Sequence, residues 1–214
     1  MKFKVLLLIF INFLYIPKGY AKTIDYLTSN NIKPKYNFQL SGSYPSIKGN
    51  DFKEVNKSIF KFITTNFDRK DEQYPTEISF EKIFENKNIL SFSINYNVSN
   101  STEKYFNKYY TLSLSNKKEL GLSEYLQNKK ISESDILNSI NHFISPCLPT
   151  KKSFPDYCSN MTLQSLMENN SKVNYSDISS FFVKNNNDIG IGVNSNKFTT
   201  TFIYNIKSKR ITLK

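Results

Sequence analysis

The chain is 214 residues long and carries 29 Lys and Arg against 18 Asp and Glu, a formal net charge of +11. That length suits one domain, or two small ones sharing a core. One histidine and two cysteines exclude the usual zinc sites, which need several such ligands.

Met1, Lys2 and Lys4 precede an apolar run from Val5 to Ile16, and Gly19-Tyr20-Ala21 places small residues at the minus-three and minus-one positions. This order describes a cleavable signal peptide over residues 1–21, cut after Ala21. Losing Lys2, Lys4 and Lys18 leaves 26 basic against 18 acidic residues in the mature part. The lysines are dispersed, so the charge reads as a solvated surface, with attraction to anionic lipid, wall polymer or an acidic partner as the alternative. No later run is apolar enough to cross a bilayer. A soluble extracytoplasmic protein is expected, periplasmic or secreted, which argues against nucleic acid as a partner.

Residues 22–35 are polar and weakly patterned and read as an N-terminal arm ahead of a single domain over residues 36–214, in which two subdomains could meet near residues 127–131. Tyr36, Phe38 and Leu40 alternate with Asn37 and Gln39, which predicts a first strand. Pro45 cannot donate to a ladder, so the piece after Ser41-Gly42-Ser43 belongs at an edge or a strand start. Asn50 or Asp51 is placed to cap a helix in which Phe52, Val55, Ile59, Phe62 and Ile63 recur at helical spacing up to about Phe67.

The clearest element follows Ile78 and Phe80. Over Ile89 to Val98, Leu90, Phe92, Ile94, Tyr96 and Val98 fall on one side and Ser91, Ser93, Asn95 and Asn97 on the other, the pattern of a half-buried strand. A short polar loop joins it to a second alternating run, Tyr110 to Leu114, which together read as an antiparallel hairpin. Leu120, Leu122, Tyr125 and Leu126 resume the apolar pattern in a short helical or irregular piece. Ser132-Glu133-Ser134-Asp135 resembles a capping box before a second amphipathic helix through Ile136, Leu137, Ile140, Phe143 and Ile144. Leu163, Leu166 and Met167 hint at one more short helix. A hairpin turning at Asn185–Asp188 and a last alternating run from Phe198 to Ile206 complete the pattern. The expected class is α+β, an antiparallel sheet with two main amphipathic helices packed on it.

Candidate chemistry is sparse. Cys147 and Cys158, in a segment broken by Pro146, Pro149 and Pro155, are expected to form a disulfide that pins a loop and contributes roughly 3 kcal/mol in the chain-entropy model. His142 lies among helical apolar residues and reads as a packed or surface side chain, since no nucleophile motif accompanies it. Residues 185–190 lack the spaced carboxylates of a calcium loop, and Gly190-Ile191-Gly192 lacks the third glycine of a dinucleotide fingerprint. Glu77, Glu81, Glu85, Asp135 and Asp156 are the carboxylates available for a glycosidase-like pair. No metal or cofactor is expected.

Tyr44-Pro45-Ser46-Ile47-Lys48-Gly49, the helix carrying Val55-Asn56-Lys57, the two hairpin strands, and Leu120-Gly121-Leu122-Ser123-Glu124-Tyr125-Leu126 resemble, in order and spacing, the exported domain of RsiV-type anti-sigma factors. The same domain forms the N-terminal part of PdaC-type peptidoglycan deacetylases. The resemblance spans about Tyr36 to Ile206 and implies an α+β domain that binds rather than catalyses; in the RsiV type the ligand is lysozyme. The chain departs from that pattern around Val193 to Phe202, where the family's Tyr- and Pro-containing motif is missing, so no binding residue is carried over. The expectation is an exported, non-catalytic binding protein, acting as inhibitor or immunity factor against a cell-wall hydrolase such as lysozyme or binding an anionic envelope polymer. The alternatives are a small envelope hydrolase with paired carboxylates and a structural protein held to anionic wall or membrane. The uncharged strand face of Ser91, Ser93, Asn95 and Asn97 is the first place to expect a bound partner.

Overall fold

The computed structural model describes residues 25–71, 74–148, 154–168 and 170–214; the expected leader, residues 1–21, lies outside them. The class is α+β, but the strands build two sheets rather than one. Strands β1 (Leu27–Asn31), β2 (Leu40–Ile47), β3 (Thr76–Glu85), β4 (Ile89–Ser99), β5 (Glu103–Ser113) and β6 (Lys118–Glu119) lie side by side in chain order. Every pairing is antiparallel except β2 with β3, which run parallel from Leu40 opposite Thr76 to Gly42 opposite Ile78. That parallel pair needs a crossover, and helix α1 (Lys53–Phe67) supplies it. Its Val55, Ile59, Ile63 and Phe67 are buried in one cluster with Leu90, Phe92 and Ile94 of β4 and Tyr110 and Leu112 of β5. Each such side chain contributes about 1.5–3 kcal/mol on leaving water.

Strands β7 (Ile178–Val183), β8 (Asp188–Asn194), β9 (Thr199–Asn205) and β10 (Ile211–Leu213) form the second, fully antiparallel sheet. Its outer face, with Phe181, Ile189, Ile191, Val193 and Phe202, packs in one cluster with residues of α2 (Leu122–Lys129), α3 (Glu133–Ile144) and α4 (Met161–Met167). Ser132 caps α3 by accepting from Ser134 N at 3.2 Å, and Asn160 caps α4 through Thr162 N and Leu163 N. Cys147 and Cys158 are bonded, with their Cα atoms 5.3 Å apart. The passage from first sheet to second layer falls between β6 and α2, ahead of residues 127–131.

What joins the two sheets is the free edge of β5. Strand β6 pairs only with Leu112 and Ser113, which leaves the outward N–H groups earlier in β5 without a neighbouring strand. Tyr105 N donates to Lys197 O at 2.8 Å, Asn107 N to Thr199 Oγ1 at 2.9 Å and Tyr109 N to Ser180 Oγ at 3.0 Å. An edge that would otherwise invite another chain is thereby covered from within the molecule. Behind it, Tyr109, Phe182 and Ile203 form a small third core, which β8 meets through Gly190 and Gly192.

Three local expectations are corrected. The arm contains β1, an edge strand in which Leu27 alone is buried, so it shows no apolar alternation. Residues 36–39 are a turn, not a strand, and Phe38 is exposed. There the Asp68 carboxylate, at the C-terminal end of α1, accepts from the N–H groups of Lys35, Tyr36 and Asn37 at 2.7–2.8 Å, while the buried Asn37 amide donates to Phe67 O and Tyr74 O. Lastly, neither Asn50 nor Asp51 caps α1, which is entered through a 3-10 turn, Asn50–Phe52, without a side-chain cap.

Partial burial works to raise the Asp68 carboxyl, but its three N–H donors prevail and hold it below the usual carboxylate value. A depressed folded-state pKa stabilises the fold in full above the unfolded value of about 4 and is lost as pH falls through the folded value. Asp68→Asn is therefore expected to lower the melting temperature at neutral pH, and the gap to wild type should narrow as melts are repeated from about pH 6 to about pH 2.5. A gap independent of pH would show that the Asp68 charge plays no part.

Candidate functional site

The hairpin registers place side chains of three strands in rows on the face of the first sheet that turns away from α1. Glu77, Asn97 and Tyr105 form one row, Ser79, Asn95 and Asn107 the next, and Glu81, Ser93 and Tyr109 the third. The four residues expected to bind a partner divide along this face. Ser91 and Ser93 are 0% and 1% exposed, which corrects the expectation of an open polar strip. Ser91 Oγ accepts from Val183 N at 3.0 Å and lies 3.1 Å from Thr111 Oγ1, which itself donates to Phe181 O at 3.2 Å. These hydroxyls receive the unpaired edge of β7, so the polar half of the alternation is an interface between sheets.

Beyond the second sheet the face is open. Asn95 and Asn97 are half-buried, Glu77, Ser79 and Glu81 exposed, and with Tyr105 and Asn107 most of these border a shallow concavity of about 270 Å³. Glu77 and Glu81 have no hydrogen-bond or ion-pair partner among the described residues, and Asn97 Oδ1 is buried without one. Glu103, in the same alternation, accepts the Tyr105 hydroxyl and thereby raises that phenol's pKa. Charge is unevenly divided across the strands: Lys82, Lys104 and Lys108 leave β3 and β5 on the α1 side, joined past the β3 bulge by Glu85, whereas Glu77, Glu81 and Glu103 leave on the open side. Lys214, its Nζ 5.8 Å from the Tyr109 ring centre, stands at the rim.

The carboxylates considered for catalysis do not converge. Glu77 and Glu81 share a face but are four strand residues apart, roughly 13 Å at the backbone, where glycosidase carboxyl groups stand about 5–9.5 Å apart. Glu85 pairs with Lys82, Asp135 with Lys209, and Asp156 opens the 3-10 turn that holds Cys158. His142 is exposed in the last turn of α3. Among the described residues no group of three or more His, Cys, Asp or Glu could hold a metal ion, and no helix is long and apolar enough to cross a membrane.

On the α1 side, a cleft of about 390 Å³ opens between the end of α1, the tip of the β4–β5 hairpin and the β8–β9 loop, lined among others by Phe62, Tyr96, Asn100, Lys104, Phe106 and Asn196. Tyr96 belongs to the apolar alternation of β4, whereas no local pattern marks Lys104, Phe106 or Asn196. The signal was the length of the hairpin, with strands of 11 residues each. No protein-family model matches the chain, and no curated protein matches it.

Proposed function

We propose that the chain is an exported, non-catalytic binding protein that captures a cationic cell-wall hydrolase of the lysozyme class on the open face of β3, β4 and β5, as an inhibitor or immunity factor. The observation that carries this reading is the charge on the open face: on a basic protein, Glu77, Glu81 and Glu103 all leave this polar face, the first two without partners among the described residues, and Lys214 stands at its rim. Net positive charge slows the encounter with a cationic partner, but close-range complementarity governs how long the complex lasts. The family resemblance points the same way. Residues 22–214, immobilised, are expected to retain at least one member of a muramidase panel and to suppress its lysis of cell-wall suspensions. Neither retention nor inhibition across the panel would overturn the reading.

A second reading is favoured by one feature of α1. Lys53, Lys57 and Lys61 are exposed at four-residue spacing, a basic strip suited to an anionic wall polymer or membrane surface. If it governs, the protein should bind isolated wall polymer and elute steeply with salt, since exposed charges are screened within about 10 Å at 0.1 M. Elution unchanged by Lys→Gln at all three positions would exclude the strip.

A further inference from the structure

The cleft at the hairpin tip brings aromatic and polar side chains together. Its floor is aromatic: Tyr96 lies against Phe106 with ring centres 5.4 Å apart and planes at 27°, and against Phe67 and Phe62 at 4.8 and 5.9 Å. Its rim is polar and unspent. Lys104 and Asn196 have no side-chain partner among the described residues, and neither does the Tyr96 hydroxyl. Asn100 uses only its Oδ1, accepting from Thr102 N. By contrast Asn37, which also borders the cleft, has its amide fully engaged with Phe67 O, Tyr74 O and Gln39 N and is structural. Burial pushes the Tyr96 phenol up to about 12, so it stays a neutral donor and acceptor at any physiological pH.

A ligand that fits must bring an apolar face, a rim of hydroxyl or amide groups and a negative charge. Its lining mixes aromatic side chains with convergent polar groups, and small-ligand sites of this size join apolar surface to a few placed polar groups. Aromatic side chains with a polar handle suit a ligand that is wet on one side and apolar on the other. A pyranose ring has that character, with C–H groups on its face and hydroxyls at its edge. We propose that this cleft binds a saccharide bearing a carboxylate, the ring face set on Phe106, whose other face stacks on Tyr96, the hydroxyls on Asn100, Asn196 and the Tyr96 hydroxyl, and the carboxylate on Lys104. The site lies on the α1 side of the hairpin, opposite the acidic face, and does not depend on it.

The test titrates isotope-labelled residues 22–214 with the disaccharide of N-acetylglucosamine and N-acetylmuramic acid, and separately with diacetylchitobiose, which lacks the carboxylate. Amide shifts are expected at Tyr96, Asn100, Lys104, Phe106 and Asn196 with the acidic sugar, and about tenfold weaker binding of chitobiose, the loss of one good charge-assisted contact. Lys104→Gln, a surface change that leaves the fold intact, should bring the acidic sugar down to the affinity of chitobiose. Asn196→Ala should weaken both sugars alike. Absence of cleft shifts up to about 10 mM, equal affinity of the wild type for the two sugars, or an acidic-sugar affinity unchanged by Lys104→Gln would each overturn the proposal.

Discussion

Replacing Gly42 with alanine is expected to destabilise the protein by about 3 kcal/mol or more, from positive-φ backbone strain together with overpacking. Gly42 stands at φ +104°, and a Cβ added there would lie 1.9 Å from the carbonyl oxygen of Ile78. The obstacle is backbone of β3, in the three-residue parallel stretch that is the sole ladder between β2 and β3, so no rotamer change relieves it. Relief requires β2 to leave β3, taking along β1 and the Ile32 N to Gly42 O hydrogen bond of 3.1 Å. For a chain of this size about 3 kcal/mol corresponds to a fall of roughly 6–12 °C in Tm. Hydrogen exchange should quicken first in β1 and β2 while β4 and β5 stay protected. Gly190→Ala is the instructive contrast. Its Cβ would meet the buried Phe182 ring at 2.0 Å, a side chain rather than backbone, so relief comes from repacking against Tyr109 at a cost in the usual overpacking range of about 1–3 kcal/mol, felt at the joint between the sheets. Equal melting temperatures for wild type and Gly42→Ala would show that the β2–β3 junction tolerates a side chain.

Much of the fold was legible because period and burial coincide. The alternation of Leu90, Phe92 and Ile94 and the helical spacing of Val55, Ile59 and Ile63 point at each other across one core, and both sides are buried in the same cluster. Two of the misreadings share a physical cause: a polar group satisfied from far along the chain looks the same in sequence as one satisfied by water. Ser91 and Val183 are 92 residues apart, and so are Asn107 and Thr199; nothing local tells a hydroxyl that receives a strand edge from one that faces solvent. The alternation at Tyr36–Leu40 failed for the same reason, since Asp68 holds that segment from about 30 residues away. The uneven division of charge, by contrast, was present in the odd and even numbering of β5 and of β3 up to its bulge after Lys82. It acquired meaning only once the register showed which face the second sheet leaves uncovered.

That uncovered face yields the sharper functional expectation. The double variant Glu77→Lys and Glu81→Lys should weaken capture of a cationic muramidase by roughly 150-fold, the equivalent of about 3 kcal/mol, because each change turns an attractive pair into like charges held in contact. The fold should be little affected: both side chains are exposed and without partners among the described residues, and surface substitutions of that kind usually stay within about 0.5 kcal/mol. The change should fall mainly on the dissociation rate, with a smaller effect on association that fades above about 0.1 M salt. Lys53→Gln, Lys57→Gln and Lys61→Gln together, on the opposite side of the sheet, should leave capture intact or improve it by lowering the net positive charge. The two triads of measurement separate the faces: affinity and inhibition constants for the acidic-face variant, the α1 variant and the wild type, each at low and moderate salt. If the double reversal inhibits as well as wild type while the α1 variant loses binding, the partner sits on α1 and is anionic, and the open face of β3 to β5 is merely solvated sheet.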